Sequence, residues 1–306
     1  MSKVVVLGVF VADTAYRAAR APRMGETIMG ENFALGPGGK GSNQAVAAAR
    51  AGVETHFISR LGRDTFADMA LQTWKEAGVT AAVTQHNDSY TGAAYIFVEA
   101  GTGDNAIIVC PGVAGQISPA DIEARADLIR SASVFATQLE QPMDAACRAL
   151  EIARSSGVQT ILNPAPAADL PDGMLTLCDY VTPNETEAEA LTGLAVTTLE
   201  EAALAGQKLL AMGAKAAVIT LGEKGALYHA GSQSVHVPAF NTGPVKETTG
   251  AGDAFNGGFA AALARGLDPV SAVRYGCATA SISVTRPGTA PAMPSEAEIA
   301  ALLAEG

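Results

Sequence analysis

The chain has 306 residues, of which 48% are hydrophobic and 17% charged, so it can bury a large core. Asp and Glu number 31 against 20 Lys and Arg, a formal net charge of −11, which excludes a nonspecific binder of DNA or RNA. The sequence contains no apolar run of roughly 18 residues or more and no signal-peptide pattern. We therefore expect a cytoplasmic protein that binds neither nucleic acid nor a membrane.

The first part of the chain alternates between buried strands and helices. The predicted elements are a strand over residues 3–9, a helix capped by Ser42 or Asn43 and ended by Gly52, a strand over 55–61 and a helix over 64–77. Two further stretches, approximately 10–35 and 80–112, hold short β-like runs with turn residues between them. These two stretches predict a small β element outside the main core, which could act as a lid.

From residue 118 the pattern becomes a regular alternation. Helices are predicted at 119–130, 143–156, 185–192, 199–212, 251–265, 269–284 and from 295 onward. Strands are predicted at 134–137, 158–162, 180–182 and 216–221, with a late hairpin formed by 226–228 and 234–237. Such alternation implies βαβ units and a mainly parallel sheet. The sequence therefore predicts a single α/β domain over residues 1–306.

Residues 248–258 (TTGAGDAFNGG) place small residues at the start of a predicted helix. Gly250 and Gly252 allow close approach of a ligand, and the free N–H groups of the first turn favour an anion. Asp253 would repel that anion, unless it accepts a proton from an attacking hydroxyl during phosphoryl transfer. An aspartate that merely stabilises the helix N-terminus explains the residues equally well.

A second glycine turn lies at residues 36–44 (GPGGKGSNQ). Its Lys40, Asn43 and Gln44 suit a hydroxyl-rich ligand, although a capped helix preceded by a glycine turn explains it too. The formal GxGxxG spacing is weak evidence for a dinucleotide, because residues 31–35 make a poor buried strand. An NAD-dependent oxidoreductase rests on that spacing alone.

Two more segments follow predicted strands, residues 183–187 (PNETE) and 220–225 (TLGEKG). Ligands of open α/β sheets bind at such carboxyl ends of strands. Glu187 could hold Mg²⁺ through water, since Mg²⁺ keeps several waters when bound to proteins, or it could belong to an acidic capped turn. The glycine turn at 220–225 could border a nucleotide.

Together these segments resemble the ribokinase-like (PfkB) carbohydrate kinase family over nearly the whole chain. Besides Asp13 and residues 25–27 (GET), the resemblance rests on 38–45 (GGKGSNQA), 138–140 (QLE), 163–167 (NPAPA), 183–187 and 250–253 (GAGD). It implies a three-layer α/β/α fold with a mostly parallel central sheet and a β lid. It also implies a homodimer formed through the lid, and transfer of the γ-phosphoryl group of ATP, with Mg²⁺, to the primary hydroxyl of a pentose such as D-ribose.

The resemblance also assigns roles to residues of this chain. Asp253 would be the general base, and the anion hole would consist of Gly250, Ala251 and Gly252. The sugar would contact Asp253 together with Asp13, Gly39, Lys40, Asn43 and Glu140. The nucleotide and its phosphates would contact Asn184, Thr220, Gly222, Gly225 and Gly252, with Glu187 serving Mg²⁺ through water.

Three positions depart from the family pattern. Val11 and Val9 stand where members that act on ribose usually have Asn and Ser, and an unpaired sugar hydroxyl in a buried site costs about 1–3 kcal/mol. The alternatives 2-deoxyribose, a ketohexose and a nucleoside therefore stay open. Glu247 stands where Asp is usual in a monovalent-cation site; a K⁺ site with the Thr249 carbonyl is a further expectation, and the added methylene leaves K⁺ activation open. A non-catalytic sugar-binding protein is also considered, but it would have no use for the base Asp253.

Overall fold

The structure is a computed structural model that describes residues 2–305. Nine of its strands form one sheet: β1 Lys3–Leu7, β4 Glu54–Leu61, β5 Val79–Gln85, β8 Val134–Thr137, β9 Gln159–Leu162, β10 Tyr180–Val181, β11 Ala216–Thr220, β12 Ala226–Ala230 and β13 Gln233–Val237. Their order is β13-β12-β11-β10-β9-β8-β1-β4-β5. The strands from β11 to β5 pair in parallel, and the hairpin β12–β13 adds antiparallel strands at one edge. The predicted late hairpin is confirmed.

The helices of the described chain occupy the connections between these strands. They are α1 Lys40–Arg50, α2 Thr65–Ala77, α3 Pro119–Glu123, α4 Ala126–Arg130, α5 Met143–Ser155, α6 Glu185–Thr192, α7 Leu199–Ala211, α8 Ala251–Ala264, α9 Pro269–Ser283 and α10 Glu296–Glu305. Most begin and end within two residues of the predicted bounds. The predicted helix over 119–130 is instead two short helices, because Arg125 leaves helical geometry with φ −118° and ψ 9°.

Both faces of the nine-stranded sheet are buried. In β1, Val4 and Val6 join one apolar cluster, whereas Val5 and Leu7 join the other. Parallel strands covered on both faces by helices have this near-continuous apolar character. The predicted three-layer α/β/α fold is confirmed.

A separate sheet of four strands has the order β3-β2-β6-β7, with β2 Val11–Ala18, β3 Asn32–Gly38, β6 Thr91–Glu99 and β7 Asn105–Gly112. The expected second stretch at 80–112 is too long at its start, because β5 pairs with β4 in the nine-stranded sheet. As an edge strand, β5 is largely exposed after Val79, as β7 of the small sheet is along most of its length. The small sheet takes up the chain again at Thr91.

The start of α1 also differs from the prediction. The helix begins at Lys40, its N-cap is Gly39, and Ser42 and Asn43 lie buried inside the first turns rather than capping them. The Ser42 hydroxyl accepts a hydrogen bond from Trp74 Nε1 at 2.9 Å, and Asn43 is directed toward α8. Tertiary partners across the chain therefore outweigh the local capping preference of these two residues.

Candidate active site

The site is built around Asp253, which lies in the first turn of α8 and is 8% exposed. Two amides of α1 hold its carboxylate. The Asn43 Nδ2 atom donates to Oδ2 at 3.0 Å, and the Gln44 Nε2 atom donates to Oδ1 at 3.2 Å. Each oxygen of the Asp253 carboxylate therefore accepts a hydrogen bond from α1, which fixes the orientation of the carboxylate where α1 and α8 meet.

The turn before α8 leaves backbone donors free. Gly250 is the N-cap, with φ of +81°, a conformation that glycine adopts without steric cost. The Ala251 N–H donates to the Thr248 carbonyl at 3.1 Å, whereas within residues 2–305 the N–H groups of Gly252 and Asp253 find no acceptor. Free N–H groups at a helix N-terminus form an anion site.

Two more carboxylates lie near this turn. Glu140, which follows β8, accepts a hydrogen bond from the Lys40 backbone N–H through Oε2 at 2.8 Å. Asp13, on β2, lies so close to β3 that a Cβ on Gly38 would be 2.2 Å from its Oδ2 atom. The glycine at position 38 thus makes room for the Asp13 carboxylate.

Burial dominates the electrostatics of these acids. It raises the pKa of Asp13 to about 6, with further contributions from the charges of Asp253 and Glu247. It raises the pKa of Glu140 to about 7, although the charge of Lys40 acts in the opposite direction. Burial also raises the pKa of Asp253, against the effects of Lys40 and of the amides Asn43 and Gln44. A ligand that donates hydrogen bonds would stabilise the charged forms of these acids.

The segments at the ends of β10 and β11 are neighbours. Asn184 forms a parallel bridge with Thr220, whose N–H donates to the Pro183 carbonyl at 2.9 Å. Asn184 and Glu187 cap α6 reciprocally, at 2.8 and 2.9 Å. Burial raises the pKa of Glu187, and the charges of Lys40 and Asp253 act on it, so it shares the electrostatic field of the site.

The glycine turn after β11 is closed by a hydrogen bond from the Leu221 N–H to the Gly225 carbonyl at 2.8 Å. Gly222 and Gly225 both have positive φ there. This turn follows directly on Thr220 and therefore lies beside Asn184.

The expected monovalent-cation residues lie just before α8. Glu247 is partly buried, and its Oε2 atom accepts a hydrogen bond from the Gly288 N–H at 2.8 Å. The neighbouring Thr289 hydroxyl donates to the Pro37 carbonyl at 2.7 Å. Thr249 is exposed and two residues farther on. Glu247 therefore ties the loop around Gly288 to the start of α8.

Sequence reasoning assigned no individual role to four buried polar residues beneath Asp253, namely Gln138, Asn163, Thr182 and Asn256. It placed Gln44 among the groups that suit a hydroxyl-rich ligand, and in the structure the Gln44 amide contacts Asp253, Asn163 and Gln138. Three of the four unassigned residues are amides at or near strand ends or in the helix that faces them. A buried amide in an otherwise apolar stretch is the signal that could have identified them.

An open α/β sheet with an anion site at a helix N-terminus, a buried carboxylate and acids at the strand ends has the features of a phosphotransferase acting on a hydroxylated substrate. Residues 1–296 match the pfkB family of carbohydrate kinases. The chain belongs to this family, which confirms the resemblance found in the sequence, and it is an ATP-dependent carbohydrate kinase.

Relatives of this chain and a solved structure similar to it are sugar kinases, in agreement with this class. The chain is 37% identical over 302 residues to the ribokinase of Staphylococcus aureus, covering 97% of this chain and 98% of the relative. It is 36% identical to the deoxyribokinase of Salmonella typhi, with 95% of each covered. The structure of Arabidopsis thaliana ribokinase complexed with ribose and ATP has a TM-score of 0.92 and 30% identity, with 98% of each chain covered. Within residues 2–305, no helix has the length and apolar character needed to cross a membrane.

Proposed function

We propose that this kinase transfers the γ-phosphoryl group of ATP to the primary hydroxyl of a pentose, with D-ribose as the first candidate. The observation that carries the proposal is the buried Asp253 carboxylate beside the free N–H groups of Gly252 and Asp253. A carboxylate next to an anion site is costly unless it has a proton to accept. A sugar hydroxyl that attacks phosphorus supplies this proton.

In the proposed step, the hydroxyl oxygen forms a bond to the γ-phosphorus while its proton passes to Asp253. The bond from that phosphorus to the oxygen of the leaving ADP breaks, and the proton is later released to solvent. Of the N–H groups expected to form the anion hole, those of Gly250, Ala251 and Gly252, only that of Ala251 already has a partner. Within residues 2–305 the N–H groups of Gly250 and Gly252 find no acceptor, nor does that of Asp253, which is added to the proposed hole. Donors fixed before the reaction need no reorganisation as charge develops.

The sugar would lie between the start of α1 and the small sheet. The Asp13 and Glu140 carboxylates would accept hydrogen bonds from sugar hydroxyls, and Asn43, Lys40 and Gly39 would complete the contacts. The raised pKa values of Asp13 and Glu140 support this assignment, because hydroxyl donors offset the cost of burying their charge.

The nucleotide would lie along the ends of β10 and β11. Asn184 and Thr220, which are bridged to each other, and the glycine turn with Gly222 and Gly225 would border it. The Glu187 cap uses Oε2, so Oε1 suits a water of Mg²⁺. When bound, Mg²⁺ neutralises charge on the phosphates.

A K⁺ ion is the second proposed cation. The Glu247 carboxylate is partly buried just before the turn at Gly250. The neighbouring carbonyl of Thr249 could be a second ligand. The Gly288 N–H already occupies Oε2 of Glu247, so Oε1 is the atom proposed for K⁺. Equal activity in K⁺ and in a buffer of large organic cations would remove this ion from the proposal.

A second substrate, 2-deoxy-D-ribose, is favoured by Val11. This residue is 4% exposed, lies on the same face of β2 as Asp13 and belongs to the apolar cluster that includes Ala94 and Leu139. A valine offers no hydrogen bond to a hydroxyl. The deoxyribokinase relative supports this alternative, as the ribokinase relative and the ribose complex support D-ribose.

The experiment is ATP consumption coupled to ADP detection with Mg²⁺ and K⁺ across a panel of D-ribose, 2-deoxy-D-ribose, D-xylose, D-arabinose, D-fructose and adenosine. The highest kcat/KM for D-ribose supports the first candidate, and the highest value for 2-deoxy-D-ribose supports the second. A protein that binds a sugar without consuming ATP would be a binding protein.

We also assign the outer face of the small sheet, the proposed lid, to contact with a second copy of the chain. Tyr16 packs against Phe33 and Tyr95 at ring distances of 5.1 and 5.4 Å, and all three stay partly exposed. Leu35 and Ile108 continue the apolar face and are 46% and 63% exposed. The opposite face carries Asp13. The homodimer and the cytoplasmic location stay predictions.

A further inference from the structure

The floor of the active site contains a ring of hydrogen-bonded side chains that the proposed chemistry does not use. Its members are Gln44, Asn163, Thr182 and Asn256, with Gln138 attached to it, and none of them is more than 7% exposed. They come from α1, from the ends of β9 and β10, from α8 and from the end of β8. The side-chain polar atoms of the four ring members all have partners, whereas Oε1 of Gln138 has none among the residues that the structure describes. Buried polar groups that are fully paired rigidify a structure, which makes this ring a candidate for positioning.

Gln44 is the member that contacts Asp253. Its Nε2 atom donates to Asp253 Oδ1 at 3.2 Å and to Asn163 Oδ1 at 3.0 Å. Its Oε1 atom accepts a hydrogen bond from Gln138 Nε2 at 2.7 Å. Three partners therefore fix the direction of this amide. If the amide turned over, its oxygen would face the Asp253 carboxylate and its nitrogen would face the Gln138 donor.

The ring closes on the backbone beside Asp253. Asn163 Nδ2 donates to the Thr182 carbonyl at 3.0 Å, and the Thr182 hydroxyl donates to Asn256 Oδ1 at 2.6 Å. Asn256 Nδ2 in turn donates to the Gly252 carbonyl at 2.9 Å. The ring thus holds both the Asp253 carboxylate and the Gly252 carbonyl in the first turn of α8.

The close approach of α1 and α8 makes this contact possible. A Cβ on Gly257 would lie 2.4 Å from the Ala47 Cβ atom, so a larger residue would separate the two helices. Gln44 lies one turn before Ala47 on α1, and Asp253 lies one turn before Gly257 on α8. Glycine at position 257 therefore brings the Gln44 amide within hydrogen-bond distance of Asp253.

We propose that Gln44 is a positioning residue for Asp253, and that Gln138 and Asn163 hold its amide in the orientation that donates to the carboxylate. The inference rests on the proposed role of Asp253 as the base. Gln44 keeps the carboxylate aimed and ionised, and the rest of the ring keeps the turn at Gly252 in place. The sugar and the nucleotide need no contact with Gln44 for this role.

Other charged groups also face Asp253 and enter any pH measurement. They are Lys40 on α1, Asp13 on β2, Glu140 after β8 and Glu187 on α6, while Glu247 acts on Asp13. Asp13 and Glu140 are proposed to bind the sugar. The measurement is therefore kcat at saturating sugar and ATP, whose pH dependence reports the groups of the loaded enzyme.

The test is Gln44→Leu, which keeps approximate size and removes the donor. We expect kcat near neutral pH to fall on the order of tenfold to hundredfold, because hydrogen bonds to charged groups are the strong ones. We expect KM for the sugar and for ATP to change little. The acidic limb of the kcat profile moves to higher pH, because loss of a donor to the charged form raises the pKa of Asp253 further.

The matched control is Gln141→Leu. Gln141 is 4% exposed, and its Nε2 atom donates to Thr137 Oγ1 at 2.9 Å and to the Gln138 carbonyl, without touching Asp253. We expect this variant to keep the parent kcat profile even where it loses stability. Gln138→Leu, which only frees the Gln44 amide, should shift the acidic limb in the same direction by less.

Gln138→Leu also serves if Gln44→Leu does not fold, which circular dichroism and thermal unfolding would reveal. A folded Gln44→Leu or Gln138→Leu variant with the parent kcat profile overturns the inference, as does an equal shift in Gln141→Leu. These results can be told apart from a failure of the proposed function. If Asp253 is not the base, Asp253→Asn retains turnover. If Asp253→Asn is inactive but Gln44→Leu keeps the parent kcat profile, only the role of Gln44 is refuted.

Discussion

The junction of α1 and α8 and the small sheet each contribute an aspartate to the site, but they hold it in different ways. At the junction, Asp253 is nearly fully buried, and amides of α1 hold both of its oxygens. On the small sheet, Asp13 is only partly buried, and the opposite face of its strand carries exposed aromatic rings. A rigid floor suits the group that handles the proton, and a separate sheet suits a group that meets the substrate as it enters.

The strongest test of this difference replaces Asp253. Asp253→Asn removes the proton acceptor but keeps a side chain of the same shape, so kcat should fall by about a thousandfold or more while sugar binding persists. The coupled ADP assay gives kcat, and calorimetric titration with sugar gives binding.

Asp268→Asn is the control for this change. Asp268 caps the next helix, α9, by accepting from the Val270 and Ser271 N–H groups, so it too is an aspartate at a helix start. Its replacement should leave kcat unchanged. Turnover by Asp253→Asn equal to that of Asp268→Asn would mean that Asp253 only stabilises its helix.

The second prediction concerns the inner face of the small sheet. Val11→Asn supplies the amide that a sugar hydroxyl needs, so the ratio of kcat/KM for D-ribose to that for 2-deoxy-D-ribose should rise about fivefold to hundredfold. Val11→Ala removes the same apolar contact without adding a donor and should leave the ratio near its parent value. A ratio unmoved by the asparagine would show that Val11 does not face the sugar.

The third prediction uses the cost of burying Glu140. Because burial raises its pKa from 4.5 to about 7, its contribution to folding is full below pH 4.5 and is lost as the pH rises from there through about 7. Glu140→Gln cannot ionise and can still accept the Lys40 N–H. The variant without sugar should therefore gain on the order of 1 kcal/mol or more over the parent at pH 8, a few degrees in Tm, and gain less at pH 5.

Thermal unfolding at the two pH values measures this gain. Glu189→Gln, on the exposed side of α6, is the control and should leave Tm unchanged at both. A Glu140→Gln variant that is no more stable at pH 8 than at pH 5, relative to the parent, would contradict a buried charge at this position. Its affinity for sugar should fall, since an amide replaces a charged acceptor.

The smallest effect on catalysis is expected on the outer face of the small sheet. Tyr16→Lys places a charge in the aromatic cluster, so a dimer formed there should dissociate, while kcat changes little because Asp13 faces the other way. Sedimentation velocity measures the mass. Tyr90→Lys, an exposed tyrosine just before β6, should leave the mass of the parent unchanged. A parent protein that sediments as a monomer would refute the assignment of this face.

The same two regions mark what sequence could and could not predict. The alternation of strands and helices and the glycine turn before α8 were readable, because periodicity and turn residues are local signals. The ring beneath Asp253 was not, because Gln44 and Asn163 are 119 residues apart and nothing local pairs them. Residues 80–85 were placed in the small β element for the same reason, since an edge strand of a large sheet and a strand of a small sheet are both largely exposed, and the strand that pairs with them lies elsewhere in the chain.

The central claim is tested most directly by identifying the product of one reaction. The protein is incubated with D-ribose, ATP, Mg²⁺ and K⁺, and ³¹P and ¹³C NMR locate the phosphate on the sugar. The account predicts ribose 5-phosphate and one ADP for each sugar phosphorylated. ADP formation no greater than in a sugar-free control, or phosphate on a different hydroxyl, would contradict it.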